Sequence, residues 1–245
     1  MDQLKNLADD RLVYRCVYCG DLDDTRDHVP SRVLLDAPLP ENLPVVPACR
    51  ACNNGFSQDE EYFACLVECV VAGSTDPDDM RRPVVAAILQ RSPALRARIE
   101  AAKTTSDGHI QFGVEPERIR RILLKMARGH AAFELSRACR EEPSTLWWGP
   151  LALLSEEERA PFEEAHVVGL LGEIGSRGSQ RVMVIQPVLQ ASDGTQAMIE
   201  MGLVINDWID VQDDRYRYLA IDDADGVSIK IVVGEYLACE VAWVE

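Results

Sequence analysis

The sequence lacks any apolar run approaching the roughly 18 residues that a membrane-spanning helix requires, so a membrane-embedded chain is not expected. Its amino terminus, MDQLKNLADDRLVYRC, has acids where a secretory leader carries basic residues and no apolar stretch behind them, so no export signal is expected either. The expected compartment is the cytoplasm. Thiols are kept reduced there, and disulfides are not expected among the eight cysteines. Internal repeats and low-complexity tracts are also missing. Hydrophobic residues at 47% and charged residues at 27% of 245 positions suit a globular chain, long enough for one large domain or two modest ones.

Positive charge is scarce as well. A net charge of −16 argues against a nucleic-acid binder until it is divided along the chain. Residues 1–140 hold 19 Lys/Arg against 21 Asp/Glu, whereas residues 141–245 hold 6 against 20. The amino-terminal part is therefore nearly neutral, and the acidity belongs to a carboxy-terminal region that need not touch a phosphate backbone. That region is better suited to meeting a protein, a second copy of the chain, or a basic surface of the chain itself.

What is present is concentrated between residues 14 and 63. Cys16-Val17-Tyr18-Cys19 and Cys49-Arg50-Ala51-Cys52 are two C-x2-C knuckles separated by 29 residues. Tight spacing lets one turn present two sulfurs, and four thiolates satisfy a closed tetrahedral Zn²⁺ site. Cys65, Cys69, Cys139 and Cys239 share no such spacing and read as small buried hydrophobes. His109, His130 and His166 have no metal-ligand spacing.

The interval between the knuckles contains Arg26-Asp27-His28-Val29-Pro30 and Glu41-Asn42-Leu43, and the second knuckle is followed at once by Asn53-Asn54. In order and span these elements resemble the HNH family, also called ββα-metal or His-Me finger nucleases. Asp27-His28, Asn42-Leu43 and Cys52-Asn53 match its three short motifs, and the resemblance covers about 50 of the 245 residues. It implies a metal-dependent endonuclease acting on DNA, with RNA left open, using Mg²⁺ or Mn²⁺ beside structural Zn²⁺. His28 would be the general base, because a neutral imidazole can accept a proton from water at cellular pH. Asp27 and Asn53 would supply oxygen ligands to the divalent ion, which keeps several waters and takes further ligands from phosphate. Asn42 would brace the loop between the two strands. Phage defence, mobile-element processing and DNA repair are settings that family members occupy.

Adjacent residues of a strand face opposite sides, so Asp27 and His28 can serve one site only if the chain bends there; Pro30 is consistent with a bend. Many family members also carry Lys or His three residues after Cys-Asn, where this chain has Phe56. Asn54, Glu60 or Glu61 are candidates to complete the metal shell. For phosphate contact the candidates are Arg26, Arg32 and Arg50 within the motif, and a stripe of Arg118, Arg121, Lys125 and Arg128 on a predicted helix. A non-catalytic zinc-finger module that binds nucleic acid or protein is the alternative reading.

Periodicity predicts helices from Gln58 to near Gly73, over 83–102 and over 116–139, each ending at breaker-rich sequence. After Pro143 come strand-like runs at 166–171, 181–189, 198–205, 216–221, 227–233 and 236–244, predicting an antiparallel sheet of five or six strands. The expected class is α+β. Its divisions are a zinc-stapled ββα module over 1–75, a helical region over 76–142 and an acidic β region over 143–245.

Overall fold

The computed structural model describes residues 14–167, 180–190 and 192–244. After the first knuckle, β1 (Thr25–His28) pairs antiparallel with β2 (Val45–Ala48), with Asp27 opposite Val46 and His28 opposite Val45. The second knuckle runs straight into α1 (Arg50–Ala72), which begins eight residues before the apolar periodicity at Gln58. Capping explains the early start. The Cys49 sulfur accepts the Cys52 N–H at 3.4 Å and the Asp24 carboxylate accepts the Arg50 N–H at 2.6 Å, satisfying donors that a helix start otherwise orphans. Gly73, at φ 67°, closes the helix by donating to the Cys69 and Val70 carbonyls.

Two shorter helices follow, α2 (Pro83–Arg91) and α3 (Pro93–Ala101), where the sequence predicted one. Pro93 divides them, because its ring removes an N–H and clashes with the preceding turn. A hairpin of β3 (Lys103–Ser106) and β4 (His109–Phe112), which the sequence reading passed over, turns on Asp107-Gly108, both at positive φ. Next comes α4 (Pro116–Leu135), ended by Ser136 in the left-handed region, short of the predicted Cys139. A glycine brings this helix onto the end of β1. A Cβ at Gly129 would lie 2.5 Å from Val29 Cγ2, so only the missing side chain permits the approach.

The carboxy-terminal half contains β5 (Thr145–Pro150), α5 (Glu156–Arg159), β6 (His166–Val167), β7 (Gln180–Ile185), β8 (Val188–Gln190), β9 (Gln196–Met198), β10 (Met201–Asn206), β11 (Ile209–Gln212), β12 (Tyr216–Asp223), β13 (Gly226–Val233) and β14 (Leu237–Val244). The main sheet has the order β11-β12-β13-β14-β5, all antiparallel, and β6-β10-β7 forms a smaller sheet. The predicted single sheet is thus two sheets plus the β8-β9 hairpin. The run predicted over 166–171 is a strand at His166–Val167, and its remainder lies outside the described residues. The chain is α+β, with five α-helices and antiparallel sheets among the described residues. No described helix is long and apolar enough to cross a membrane.

One face of the main sheet, with Tyr216, Tyr218, Ala220, Ile229 and Ile231, packs into the cluster that also holds α4, α1 and the knuckle residues Cys16 and Tyr18. Leu151, Phe162, Val232 and Ala238 form a smaller cluster elsewhere. A polar tie adds to this: Asp36, in the loop before β2, is gripped by Arg82 at 2.8 Å and Arg215 at 2.5 Å, and both guanidiniums hold its carboxyl below the ordinary aspartate range against the opposing effect of burial.

Within that core His130 is fully buried, stacked on Tyr218 at 3.7 Å between ring centres and hydrogen-bonded through Nε2 to the Tyr216 hydroxyl at 2.8 Å. Burial, assisted by the nearby Lys125 cation, pushes its pKa down to about 3 from an ordinary 6.5. The unfolded chain therefore binds the extra proton between those values, and His130 contributes an acid-sensitive loss of stability as pH falls below 6.5. Replacing it with Gln, which keeps a polar atom near Tyr216 without titrating, should shrink the stability difference between pH 7 and pH 5 by about 2 kcal/mol. Urea unfolding at the two pH values measures this; an unchanged difference would remove His130 from the acid response.

Candidate metal centre and adjoining cleft

The four knuckle sulfurs converge. Cys16, Cys19, Cys49 and Cys52 bring their Sγ atoms within 4.8 Å of one another, and Cys19 and Cys49 are 3.7 Å apart. A tetrahedral zinc with Zn–S bonds of about 2.3 Å separates its sulfurs by about 3.8 Å, so the set fits one such ion. Backbone ties between the knuckles bring them together: Val17 N–H donates to the Pro47 carbonyl, and Asp24 N–H to that of Ala48. Cys65, Cys69 and Cys139 are buried elsewhere, and burial pushes each thiol up to about 12, so they are poor thiolate donors. Cys239 is raised further by the same cause.

Beside this cluster a cleft of about 650 Å³ is lined by Asp27, His28, Ser31, Arg32, Asn53 and Glu60, with Asn54, Glu61 and Arg91 also on its wall. Asp27 and His28 reach it together although they are neighbours on β1. Asn53 enters from the first turns of α1; its Nδ2 donates to Thr25 Oγ1 and to the Arg26 carbonyl, each at 3.2 Å, which commits the amide nitrogen to β1 and frees the amide oxygen. His28 is half-buried and makes no hydrogen bond among the described residues. Desolvation of the ring, helped by the Arg32 and Lys125 cations and opposed by Asp27, holds its pKa below the ordinary histidine value. A neutral imidazole beside hard oxygen donors is what proton abstraction from a water requires.

Asp27 is almost buried and already partnered. Its Oδ2 accepts from the Tyr18 hydroxyl at 2.8 Å and lies 3.0 Å from the Lys125 ammonium. The same ammonium lies 2.5 Å from Glu60 Oε1 and donates to Ser31 Oγ at 2.8 Å, while Ser31 donates to Glu60 at 2.6 Å. Tyr18, Ser31 and the inward role of Lys125 were missed in the sequence. One signal for Lys125 was available: on α4 it lies one turn after Ile122 and beside Met126, within the arc of buried positions.

Of the predicted basic stripe, only Lys125 is buried; Arg118 and Arg128 are partly buried, and Arg121 is exposed. Arg118 and Arg121 both pair with Asp59 of α1, at 2.5 and 2.8 Å, Arg128 donates to the Cys139, Arg140 and Glu141 carbonyls, and Lys125 is 1% exposed. α1 presents Asp59 and Glu60 to α4, so three of the four cations have acidic side-chain partners on α1, and Arg128 is held by backbone carbonyls of 139–141. Arg26 pairs with Asp23 and Arg50 with Asp24. Arg32 is exposed, lines the cleft and makes no ion pair among the described residues. Asn42 sits exposed in the turn before β2 and is not among the residues that line the cleft. His109, His130 and His166 also lie outside the cleft.

No family model, curated protein or solved structure matches the chain.

Proposed function

We propose that this protein is a metal-dependent endonuclease that hydrolyses phosphodiester bonds in DNA, with His28 as general base and Asp27 and Asn53 as ligands of a Mg²⁺-type ion. The observation that carries the reading is the shared cleft: an imidazole, a carboxylate and an amide line one cavity beside four clustered thiols. Zn²⁺ in the thiolate set would lock the β1-β2 hairpin to the start of α1, fixing the separation of Asp27 and Asn53. His28 would take a proton from a water as its oxygen bonds to phosphorus, and the 3′ oxygen departs, leaving 5′-phosphate and 3′-hydroxyl ends. A bound divalent ion would supply positive charge for the phosphoryl and leaving oxygens. Its donors here are oxygens, which suits Mg²⁺ or Mn²⁺.

The test is an assay of the zinc-loaded full-length protein on supercoiled, linear and single-stranded DNA, and on RNA. Cutting is expected with Mg²⁺ or Mn²⁺, and it should stop at chelator concentrations that leave zinc bound. A zinc-loaded, folded protein that binds DNA but cuts none of these substrates with either ion would point instead to a non-catalytic zinc module.

Of the cleft's three arginines, Arg26 and Arg91 pair with Asp23 and Glu61, whereas Arg32 has no ion pair among the described residues and is the proposed phosphate contact. Changing Arg32 to Ala is expected to lower the slope of log affinity against log salt by about 1, the contribution of one phosphate contact. Fluorescence anisotropy with the divalent ion replaced by Ca²⁺ reads this directly; an unaltered slope would place the phosphate elsewhere.

A further inference from the structure

The ammonium of Lys125 is committed to its limit. It has three N–H groups, and three acceptors surround it: Asp27 Oδ2 at 3.0 Å, Glu60 Oε1 at 2.5 Å and Ser31 Oγ at 2.8 Å. Each carboxylate spends one oxygen on this contact. Asp27 Oδ1 and Glu60 Oε2 have no partner among the described residues, and both side chains line the cleft. Two carboxylates beside one cavity would repel each other and draw a divalent ion strongly; a buried monovalent cation between them cancels half of that charge.

We infer that Lys125 is a built-in counter-charge for the cleft, making Glu60 a second carboxylate donor beside Asp27 while keeping the site's hold on a divalent cation weak. The inference rests on the proposed metal-dependent reading and goes beyond it by assigning Glu60 a ligand role and Lys125 a positioning and charge-setting role. Its consequence is a carboxylate pair that carries a net charge of −1 rather than −2 when no ion is bound. The hard cation then binds best when a substrate phosphate adds negative charge, so ion and substrate bind cooperatively.

Isothermal titration of the zinc-loaded full chain with MnCl₂ tests this without reference to activity. Removing a unit charge a few ångströms from a divalent ion strengthens binding about tenfold or more even at the dielectric of water. Lys125→Met should therefore bind Mn²⁺ at least about tenfold more tightly than the unsubstituted protein. Lys125→Arg, which keeps the charge, should stay within a few-fold of it. A purely structural clamp predicts the opposite for Lys125→Met: unchanged or weaker binding, which would overturn the inference alone. No Mn²⁺ uptake by the unsubstituted protein would overturn both the inference and the divalent-ion reading.

Lys125→Met leaves two carboxylates without their cation at a cost to folding, so a measurement on the native sequence stands beside it. The chain has four lysines, at 5, 103, 125 and 230, so their side-chain ε-carbon signals are readily assigned in a lysine-labelled sample. Substoichiometric Mn²⁺ should broaden the Lys125 signal and leave those of Lys103 and Lys230 sharp. A sharp Lys125 signal at saturating Mn²⁺ would overturn the inference.

Discussion

A His28→Ala protein is expected to fold, to retain its zinc and to lose DNA cleavage by about two to four orders of magnitude, the usual worth of a positioned general base. His28 ends β1 opposite Val45, half-buried on the wall of a cleft that also carries Asp27 and Asn53. Its ring makes no hydrogen bond among the described residues, so truncation to Ala leaves no buried partner stranded, and the loss of stability should be small. Its depressed pKa, caused first by desolvation and then by Arg32 and Lys125, keeps it in the accepting form at neutral pH. On the proposed reading DNA binding would rest on cations such as Arg32 and should change little. Plasmid relaxation with Mg²⁺, zinc content and anisotropy binding, measured on one preparation, separate these effects. Retained cleavage with zinc and DNA binding intact would remove His28 from the mechanism.

What the sequence made legible was local. Two sulfurs three residues apart can be read as a metal knuckle because one turn determines their separation, and Asp27, His28 and Asn53 are tied to those knuckles by a strand or a single turn. The same locality explains why the helices predicted from 83 and from 116 start at Pro83 and Pro116. What escaped was set by partners far along the chain. Lys125 meets Asp27 98 positions away and Glu60 65 positions away, and no local spacing shows which acids will face a basic stripe. Read alone, the i, i+3, i+7 pattern of cations does not show that Asp59 and Glu60 of α1 pair with Arg118, Arg121 and Lys125. Phe56 is a related case. Where the resemblance suggested a cation, the ring packs edge-on against Tyr18 at 5.1 Å and lies beneath Arg121, so positive charge comes to this spot from α4 instead. Gly129 also became intelligible only in three dimensions, as the point where α4 touches Val29, one residue beyond His28.

Loss of one knuckle thiol is expected to have the largest effect on stability. Structural zinc contributes about 10–16 kcal/mol of binding free energy in isolated fingers, and much of that is folding free energy because no formed site exists in the unfolded chain. Cys49 has two roles here: it contributes to the sulfur cluster and its Sγ caps α1 by accepting the Cys52 N–H. Cys49→Ser keeps a capping oxygen and removes a soft ligand, so the substitution isolates the metal contribution. If only about 4 kcal/mol of it is felt by the whole chain, the unfolding temperature should fall by roughly 8–16 °C, given 2–4 °C per kcal/mol at this size. Zinc content by mass spectrometry should drop from one ion per chain to none. Cys65→Ser is the matched control, since Cys65 is a buried thiol outside the cluster: it should lose some packing stability while keeping its zinc. Because the same core holds Cys16, Tyr18, α1, α4 and the sheet, the knuckle change should unfold more than the hairpin, and Trp148 and Trp243 fluorescence should report it alongside zinc release. Full zinc occupancy and an unshifted transition in Cys49→Ser would mean that the four sulfurs do not act as one site, and the positioning of Asp27 against Asn53 would then need another source.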